Sequence, residues 1–224
     1  HKSMVAIAAW LCCCATTSAQ ANFEFSTSQR GPVIGDLHYG IFFEEINHAG
    51  DGGIYAELVR NGSMEENINN PDHWWTIGTA SFSIITSDLI NSRQTKAMRL
   101  ILKKGMDGTR NIGFWGMNIV KGQKYKAALW ARCEQDWGGR ITLRLESYEG
   151  TNLGQVMITP ENDGQWHKYE AEITATGSYN MGWFAVRGSK AGTIDLDCVS
   201  LFPPTFKDRD NGMRTDLAEK LAAL

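Results

Sequence analysis

Short runs of alternating apolar and polar residues, separated by turns, fill the region from about Ser63 to Pro204. Residues 141–146, for example, read Ile-Thr-Leu-Arg-Leu-Glu, so that every second side chain is apolar. Because successive side chains of a strand point to opposite faces, this period of two predicts strands with one buried face. A chain that repeats such runs buries its apolar faces by packing sheet against sheet.

Turn residues divide this region into short strands. Turns rich in glycine, asparagine and aspartate occur at residues 104–108, 137–139, 149–150, 162–164, 176–177 and 188–189. The alternation between them predicts strands at 98–103, 124–133, 141–146, 166–174, 183–187 and 193–202. Short strands at this spacing predict a mainly β chain built around a β-sandwich. A region of about 140 residues is large enough to enclose one core.

The hydrophobic period changes at the end of the chain. Met213, Leu217, Leu221 and Leu224 recur at intervals of three or four residues, with charged residues between them. This spacing predicts an amphipathic helix. Since a β-sandwich gives such a helix nothing to pack against, the pattern indicates that the chain belongs to a longer protein.

Charge and motifs exclude several classes of function. The chain has 224 residues and a formal net charge of −3, from 22 lysines and arginines against 25 aspartates and glutamates. No basic cluster is present to neutralise phosphates, so we expect no nucleic-acid partner. No nucleophile elbow, phosphate-binding loop or His-Glu-x-x-His zinc motif occurs, and we expect no cofactor. Asp195, Asp197 and His48 lack the spacing of a metal site, so we expect no metal.

The N-terminal residues resemble a secretion signal. Lys2 precedes an apolar stretch from Met4 to Cys14, and Ala19-Gln20-Ala21 matches the small-x-small cleavage pattern. We predict a signal peptide at residues 1–21 and a secreted, extracellular mature chain. The alternative is a membrane anchor, but the apolar stretch is shorter than the roughly 20 residues that a spanning helix needs. After cleavage we expect no membrane attachment.

Two cysteines and one asparagine are candidate sites of covalent modification. Three of the five cysteines, at 12–14, lie in the predicted signal peptide, which leaves Cys133 and Cys198. Both lie on the apolar phase of predicted strands, where they either form a disulfide or remain two buried free thiols. Asn61-Gly62-Ser63 is a glycosylation sequon.

The segment Leu37–Val59 has the composition of an active-site strand. An apolar run, Ile41-Phe42-Phe43, ends in Glu44 and Glu45, and a glycine-rich loop follows before the next apolar residues at Ile54. A buried strand that carries acids at its C-terminal end is typical of (β/α) barrel enzymes. Because adjacent side chains on a strand point to opposite faces, Glu44 and Glu45 are not expected to act as one catalytic pair.

This segment closely resembles the start of the catalytic domain of glycoside hydrolase family 51, the α-L-arabinofuranosidases, and especially the plant-type enzymes. Residues 213–221 resemble the first helix of that family's barrel. The resemblance implies a jelly-roll β-sandwich, residues 63–204, inserted between the first strand region (22–62) and the first helix (205–224) of a truncated (β/α)8 barrel. It also implies a secreted enzyme that removes arabinofuranose from plant cell-wall arabinoxylan or arabinan.

The same resemblance assigns roles to residues of the first strand. The family's first barrel strand supplies a glutamate that hydrogen-bonds the arabinofuranose, and Glu44 lies at that position, with Glu45 and Asn47 as further substrate-binding candidates. The family's two catalytic glutamates come later, one of them in an Asn-Glu pair that this chain lacks. We therefore expect no catalytic residue in this chain and no hydrolysis by the chain alone.

The sandwich resembles a carbohydrate-binding module of the family 4/9 type, with a galactose-binding-like jelly roll. The resemblance lies in residues 120–125, 164–169 and 192–201. Since sugar rings stack on aromatic side chains, exposed aromatics are the candidate contacts. Trp130 lies out of phase with the apolar face of its strand, Trp137 lies in a glycine turn, and Tyr148 lies on a polar phase. We predict these three as sugar-stacking residues.

Two other functions remain open from the sequence. The sandwich either binds plant cell-wall polysaccharide or binds no sugar and braces the catalytic domain. The chain is alternatively a secreted carbohydrate-binding protein without catalytic activity, or a sandwich used for protein contacts.

Overall fold

The computed structural model describes residues 21–28, 30–35, 38, 40, 42–210 and 212–223. The predicted signal peptide, residues 1–21, lies almost wholly outside these residues. The chain divides into two compact units, His1–Phe42 and Phe43–Leu224. The described residues of the first unit contain no helix or strand. All elements named below belong to the second unit.

The second unit is built from short strands, as the alternation predicts. Its elements are β1 (Trp74–Ile77), β2 (Ser81–Ile85), β3 (Ala97–Leu102), β4 (Gly108–Asn111), β5 (Met117–Ile119), β6 (Lys124–Cys133), β7 (Ile141–Glu146), β8 (Asn152–Ile158), β9 (Trp166–Thr174), β10 (Tyr179–Gly188), β11 (Gly192–Phe202) and the helix α1 (Thr215–Ala222). No helix among the described residues is long and apolar enough to cross a membrane.

The strands form two antiparallel sheets. The first sheet has the order β1-β4-β10-β7-β8, with β5 also paired to β10, and the second sheet has the order β2-β3-β11-β6-β9. Most neighbouring strands are not consecutive in sequence, as in jelly rolls, and the exceptions are the pairs β7–β8 and β2–β3. The predicted mainly β chain, with a β-sandwich and a C-terminal amphipathic helix, is confirmed. The helix is shorter than predicted, and Leu224 lies outside the described residues.

The core lies between the inner faces of the two sheets. Leu129 on β6 and Ile194 on β11 face it from one sheet, and Leu143 on β7 and Phe184 on β10 face it from the other, all with 0% exposure. Leu129, Leu143 and Ile194 each occupy the apolar phase of an alternating run, whereas residues 183–186 are apolar on both phases, so the inward position of Phe184 comes from the structure alone. Fully burying such a side chain contributes about 1.5–3 kcal/mol.

Trp137 belongs to this core, contrary to the prediction that it is exposed for sugar stacking. Its side chain is 5% exposed, and its indole N–H donates to the carbonyl of Ala191 at 2.8 Å. Gly139 and Gly192 lie directly against the indole ring, where a side chain would clash. The turn folds back onto the sheet because glycine leaves room for the ring, and this contact cannot be read from the turn's composition.

Of the two alternatives left open for Cys133 and Cys198, the structure has free thiols, with Cys133 buried and Cys198 half-buried. Cys133 pairs across the sheet with Ile194, which places Cys198 four residues further along β11. Four residues of strand span about 13 Å, beyond the Cα separation of about 7 Å that a disulfide tolerates. Burial raises the pKa of both thiols to about 12.

Asp195 anchors the outer face of the second sheet. It is 3% exposed, and its carboxylate accepts hydrogen bonds from Arg99 at 2.8 Å and from Arg132 at 2.6 Å. These two arginines lie on the strands flanking β11, so the carboxylate joins three strands. Within the described residues, no group of three or more acidic, histidine or cysteine side chains is arranged to hold a metal ion.

Asp197, the next outward residue of β11, lies at an irregularity. The register shifts between Asp197 and Ser200, and Cys198 adopts a positive φ of 47°. One carboxylate oxygen of Asp197 accepts from the Cys198 N–H at 2.6 Å, while the other is buried without a hydrogen-bond partner among the described residues. Burial raises the pKa of Asp197 to about 6.

We predict that Asp197→Asn changes how stability depends on pH. The pKa of Asp197 is about 6 in the folded chain, above the ordinary value of 3.8 that applies to the unfolded chain. The protonated carboxyl group therefore contributes stability that is fully present below about pH 4 and is lost as the pH rises through 6. The free energy of unfolding, measured by urea titration with tryptophan fluorescence, should therefore fall across this window in the parent chain relative to Asp197→Asn.

The matched control is Glu170→Gln, which removes an exposed carboxylate from strand β9 of the same sheet. Its pH profile should run parallel to that of the parent chain. Parallel profiles for Asp197→Asn and the parent between pH 4 and 7 would contradict the prediction.

Candidate functional site

The outer face of the first sheet carries a cluster of aromatic and charged side chains. Alternation along strand β10 determines which of its side chains belong to this cluster. Phe184 and Val186 face the core with 0% exposure. Trp183, Ala185 and Arg187 therefore face outward. Trp75 and Arg110 lie on the same outward row as Ala185, through the pairings β1–β4 and β4–β10. Register alone thus brings these residues together.

We call the outward side chains of Trp75, Arg110, Arg144, Tyr148 and Trp183 the aromatic face. The ring of Trp183 is its base, with 4% exposure. Trp75 contacts it edge to face, with ring centroids 5.1 Å apart, and Tyr148 contacts it at 5.9 Å. Trp75 and Tyr148 are 43% and 60% exposed. Two exposed rings therefore flank a buried one and lie no more than about 11 Å apart.

Arginines complete the aromatic face. The guanidinium carbon of Arg110 lies 4.2 Å from the ring centre of Trp183, a cation–π contact. Beside it, Glu146 is wholly buried and accepts two hydrogen bonds from Arg187, at 2.7 and 3.0 Å. Arg144 lies 3.2 Å from the same carboxylate. The face thus combines apolar rings with fixed hydrogen-bond donors, which is the chemistry that binds a sugar's C–H face and its hydroxyls.

The three aromatic residues predicted to contact sugar lie in three different environments. Tyr148 belongs to the aromatic face and is exposed. Trp130 lies on the outer face of the other sheet, half-buried and paired across strands with Asp197 and Lys168. Trp137 is in the core, as described above. A shared role for the three is therefore excluded.

Trp75 and Trp183 were not singled out from the sequence. The sequence does not show which way Trp183 points, because residues 183–186, Trp-Phe-Ala-Val, are apolar on both phases of the strand. Trp75 gave no signal either, since β1 is only four residues long and shows no clear alternation.

The predicted buried strand before Glu44 is not present in the described residues. Residues 42–46 form no strand, and Phe42 and Phe43 are 84% and 54% exposed. A central strand of a parallel barrel is buried only between two neighbouring strands, and no described strand pairs with this segment. Leu37, Tyr39 and Ile41, which begin the predicted run, lie outside the described residues.

The residues assigned to substrate binding lie in an exposed loop. Glu44 is exposed, whereas the carboxylate of Glu45 accepts a hydrogen bond from the Gly50 N–H and closes the loop on itself. Asn47 and His48 adopt left-handed conformations, with φ of 53° and 60°. The roles of Glu44, Glu45 and Asn47 stay predictions.

The sandwich holds this loop in place. The His48 ring lies 5.2 Å from the ring of Phe114 and 5.9 Å from that of Trp115, both in the connection between β4 and β5. Gly52 lies against the Phe114 ring with no room for a side chain. Trp115 is itself 64% exposed.

The segment that leads into the sandwich and the segment that leads out of it lie side by side. Tyr55 and Met213 form an antiparallel bridge, and the Leu58 N–H donates to Leu201 at 3.0 Å. The carboxylate of Glu57 accepts from Ser200 Oγ at 2.5 Å and from the Leu201 N–H at 2.8 Å. We call this arrangement the Glu57 clasp. Adjacent entry and exit segments are the geometry that a domain inserted into another needs.

Asn61, the sequon asparagine, contributes to the same region. Its amide nitrogen donates to the Asp72 carbonyl at 2.9 Å, and its amide oxygen accepts from the Glu66 N–H at 3.1 Å. Both ends of the amide therefore hold a loop, and glycosylation at Asn61 stays a prediction.

Comparisons with known proteins agree with this geometry. A family described as "Carbohydrate binding domain" matches residues 56–193. An extracellular exo-α-L-arabinofuranosidase of Streptomyces chartreusis is 36% identical over 227 residues, which covers 97% of this chain and 27% of the relative. α-L-Arabinofuranosidase 1 of Arabidopsis thaliana is 32% identical over 206 residues, which covers 86% of this chain and 30% of the relative.

A solved structure gives the same picture. The arabinose-bound MgGH51 α-L-arabinofuranosidase superposes with a TM-score of 0.78 at 32% identity, covering 82% of this chain and 32% of that protein. The chain therefore spans about a third or less of the length of the relatives that it matches.

We predict that Glu57→Ala weakens the clasp. Burial raises the pKa of Glu57, and the hydrogen bonds from Leu201, Ser200 and Val59 lower it by less, so its pKa lies above the usual value. Loss of this carboxylate leaves buried N–H groups without an acceptor, which costs about 1–3 kcal/mol. Hydrogen exchange should accelerate at the amides of Val59 and Leu201, and the free energy of unfolding should fall.

Glu172→Gln is the control, because its carboxylate forms an exposed pair with Lys124 at 2.8 Å. Exposed pairs contribute about 0–1 kcal/mol, so this variant should unfold as the parent does. Unchanged exchange at Val59 and Leu201 in Glu57→Ala would refute the clasp.

Proposed function

The chain belongs to the carbohydrate binding domain family, and we propose that its sandwich binds plant cell-wall polysaccharide, arabinoxylan or arabinan, through the aromatic face. The observation that carries this proposal is the contact of two exposed rings, Trp75 and Tyr148, with the buried ring of Trp183. Exposed apolar groups that cluster on one surface mark a binding site in soluble proteins.

Sugar binding follows from the chemistry of this surface. The C–H faces of pyranose and furanose rings are apolar, while their hydroxyls need hydrogen-bond partners. Trp75 and Tyr148 offer flat apolar rings whose positions are fixed by their contacts with Trp183. Fixed side chains lose little conformational entropy when a ligand binds, which favours affinity. The open sheet surface suits a long polysaccharide chain better than a single enclosed sugar.

For the whole protein, we infer an extracellular α-L-arabinofuranosidase with a retaining, two-carboxylate mechanism. The names and identities of the matched relatives support this, and so does the resemblance of the Leu37–Val59 segment. In this proposal Glu44 and Asn47 contact the arabinofuranose, and Glu45 shapes the loop through its hydrogen bond with Gly50. A retaining glycosidase needs two carboxyl groups about 5–5.5 Å apart, and other parts of the enzyme supply them.

We predict that Trp75→Ala and Tyr148→Ala each weaken binding to soluble arabinoxylan or arabinan about tenfold, because each removes one exposed stacking ring; tenfold corresponds to about 1.4 kcal/mol. Affinity gel electrophoresis of the purified chain, with polysaccharide cast in the gel, measures this directly. Near-ultraviolet circular dichroism verifies that each variant keeps its packed core.

Two tryptophans elsewhere serve as comparisons. Trp115→Ala removes a ring that is 64% exposed but lies away from the aromatic face, so binding should be unchanged. Trp130→Ala tests the outer face of the other sheet and should also have no effect. Weakening by Trp130→Ala, with none by Trp75→Ala or Tyr148→Ala, would move the site to that sheet and refute the proposal.

A further inference from the structure

We infer that the aromatic face prefers acidic glycans, those that carry uronate carboxylates, over neutral ones, with Arg110 and Arg144 as the residues that bind the carboxylate. This inference rests on the proposed sugar-binding function and deepens it by naming the ligand class. Two observations support the inference: arginines outnumber acids on this surface, and the two arginines have guanidinium donors without acceptors.

The outward positions of the first sheet carry excess positive charge. Along its six strands they include three arginines, Arg110, Arg144 and Arg187, and one acid, Glu146. Glu146 has 0% exposure and binds Arg187 with both oxygens, so it is not accessible to a ligand. Arg144 shares this carboxylate, and Arg110 forms no ion pair within the described part of the chain.

Glu149, the acid next to Tyr148 in the sequence, does not form an ion pair with Arg110. Glu149 follows Tyr148 in the turn after β7, and its carboxylate accepts from Ser147 Oγ at 2.8 Å and from the Tyr179 hydroxyl at 3.4 Å. These bonds, the one from Ser147 foremost, lower the pKa of Glu149 and keep it ionised at its own partners. The positive charge of Arg110 is therefore left for a ligand.

Both arginines have donors to spare. In the part of the chain that the structure describes, Arg110 donates one hydrogen bond, from Nη1 to the Tyr148 carbonyl at 3.4 Å; its Nε is buried, so a ligand would meet its terminal nitrogens. Arg144 donates to the Gly150 carbonyl at 3.4 Å, and its Nε, 3.2 Å from Glu146, lacks the angle of a hydrogen bond. A guanidinium carries five donors, and bonds this long are weak.

The register places the two arginines on either side of one small residue. Arg110 on β4 and Arg144 on β7 both pair with Ala185 of β10. Since neighbouring strands lie about 4.8 Å apart, the Cα atoms of the two arginines are about 10 Å apart. A carboxylate above Ala185 is within reach of both side chains, and an adjoining sugar is then beside Trp183 and its two exposed neighbours.

The opposite sheet has a smaller excess, with five basic residues and four acids at its outward positions, and all five of those basic residues are paired with an acid. There, Arg99 and Arg132 share Asp195, Lys124 pairs with Glu172, and Lys168 pairs with Glu170. The chain as a whole carries a net charge of −3, which repels an acidic polymer. A preference for acidic glycans must therefore come from a local site.

The test compares one polysaccharide in two forms. Glucuronoxylan and the same polymer after carboxyl reduction differ only in the uronate charge. We expect the 224-residue chain to bind the acidic form about tenfold more tightly in isothermal titration, as charge-assisted hydrogen bonds contribute more than neutral ones. This advantage should shrink between low and high salt, because the arginines are partly exposed.

Arg144→Gln and Arg110→Gln should each reduce the advantage of the acidic form, because each weakens binding of the acidic form more than binding of the reduced form. Arg140→Gln is the matched control, since it removes the same charge from an exposed residue outside the aromatic face. Circular dichroism verifies folding, and the salt dependence of the parent chain tests the inference even where a variant fails to fold.

Equal binding of both polymer forms by the parent chain would overturn this inference and leave the sugar-binding function intact. The inference would also be overturned if Arg140→Gln reduced the preference for the acidic form as much as Arg144→Gln and Arg110→Gln do. The preference would then come from the overall charge of the chain and not from the aromatic face. Binding of neither form, nor of arabinoxylan or arabinan, would instead refute the proposed function itself.

Discussion

The register of strand β10 is the constraint on which both the core and the candidate site depend. Its inward residues, Phe184 and Val186, are fully buried, and its outward residues, Trp183 and Ala185, form the base of the aromatic face. A shift by one residue would exchange these two sets. Packing of the apolar core therefore also determines which side chains form the aromatic face.

Much of the sandwich could be predicted because its long strands alternate regularly. The predicted bounds of β6 and β9 match the structure, and those of β11 differ by one residue. Short strands such as β4, Gly-Thr-Arg-Asn, were missed because they bury polar residues. Asn111, for example, is fully buried and donates to the carbonyls of Arg60 and His73. Burial that depends on distant partners leaves no local hydrophobic pattern.

The site was harder to predict than the fold for a related reason. Stacking residues are recognised by exposure, and exposure depends on how a turn folds back, as the burial of Trp137 against Gly139 and Gly192 demonstrates. Likewise, the apolar residues Phe42 and Phe43 were interpreted as buried, yet a strand is buried only when neighbouring strands cover it. Composition identifies which residues can bind or pack, whereas tertiary contacts decide which do.

The Glu57 clasp joins the sandwich to the loop that carries Glu44. Glu57 binds Ser200 and Leu201 at the end of β11, and His48 packs on the β4–β5 connection from the other side. The loop is thus fixed to the sandwich at two points, not linked to it by a flexible tether. A polysaccharide held on the aromatic face would then be presented to that loop at a defined distance. Fixed geometry raises the effective concentration of a second contact only where the spacing fits, so under the proposed function the spacing along the glycan would affect recognition.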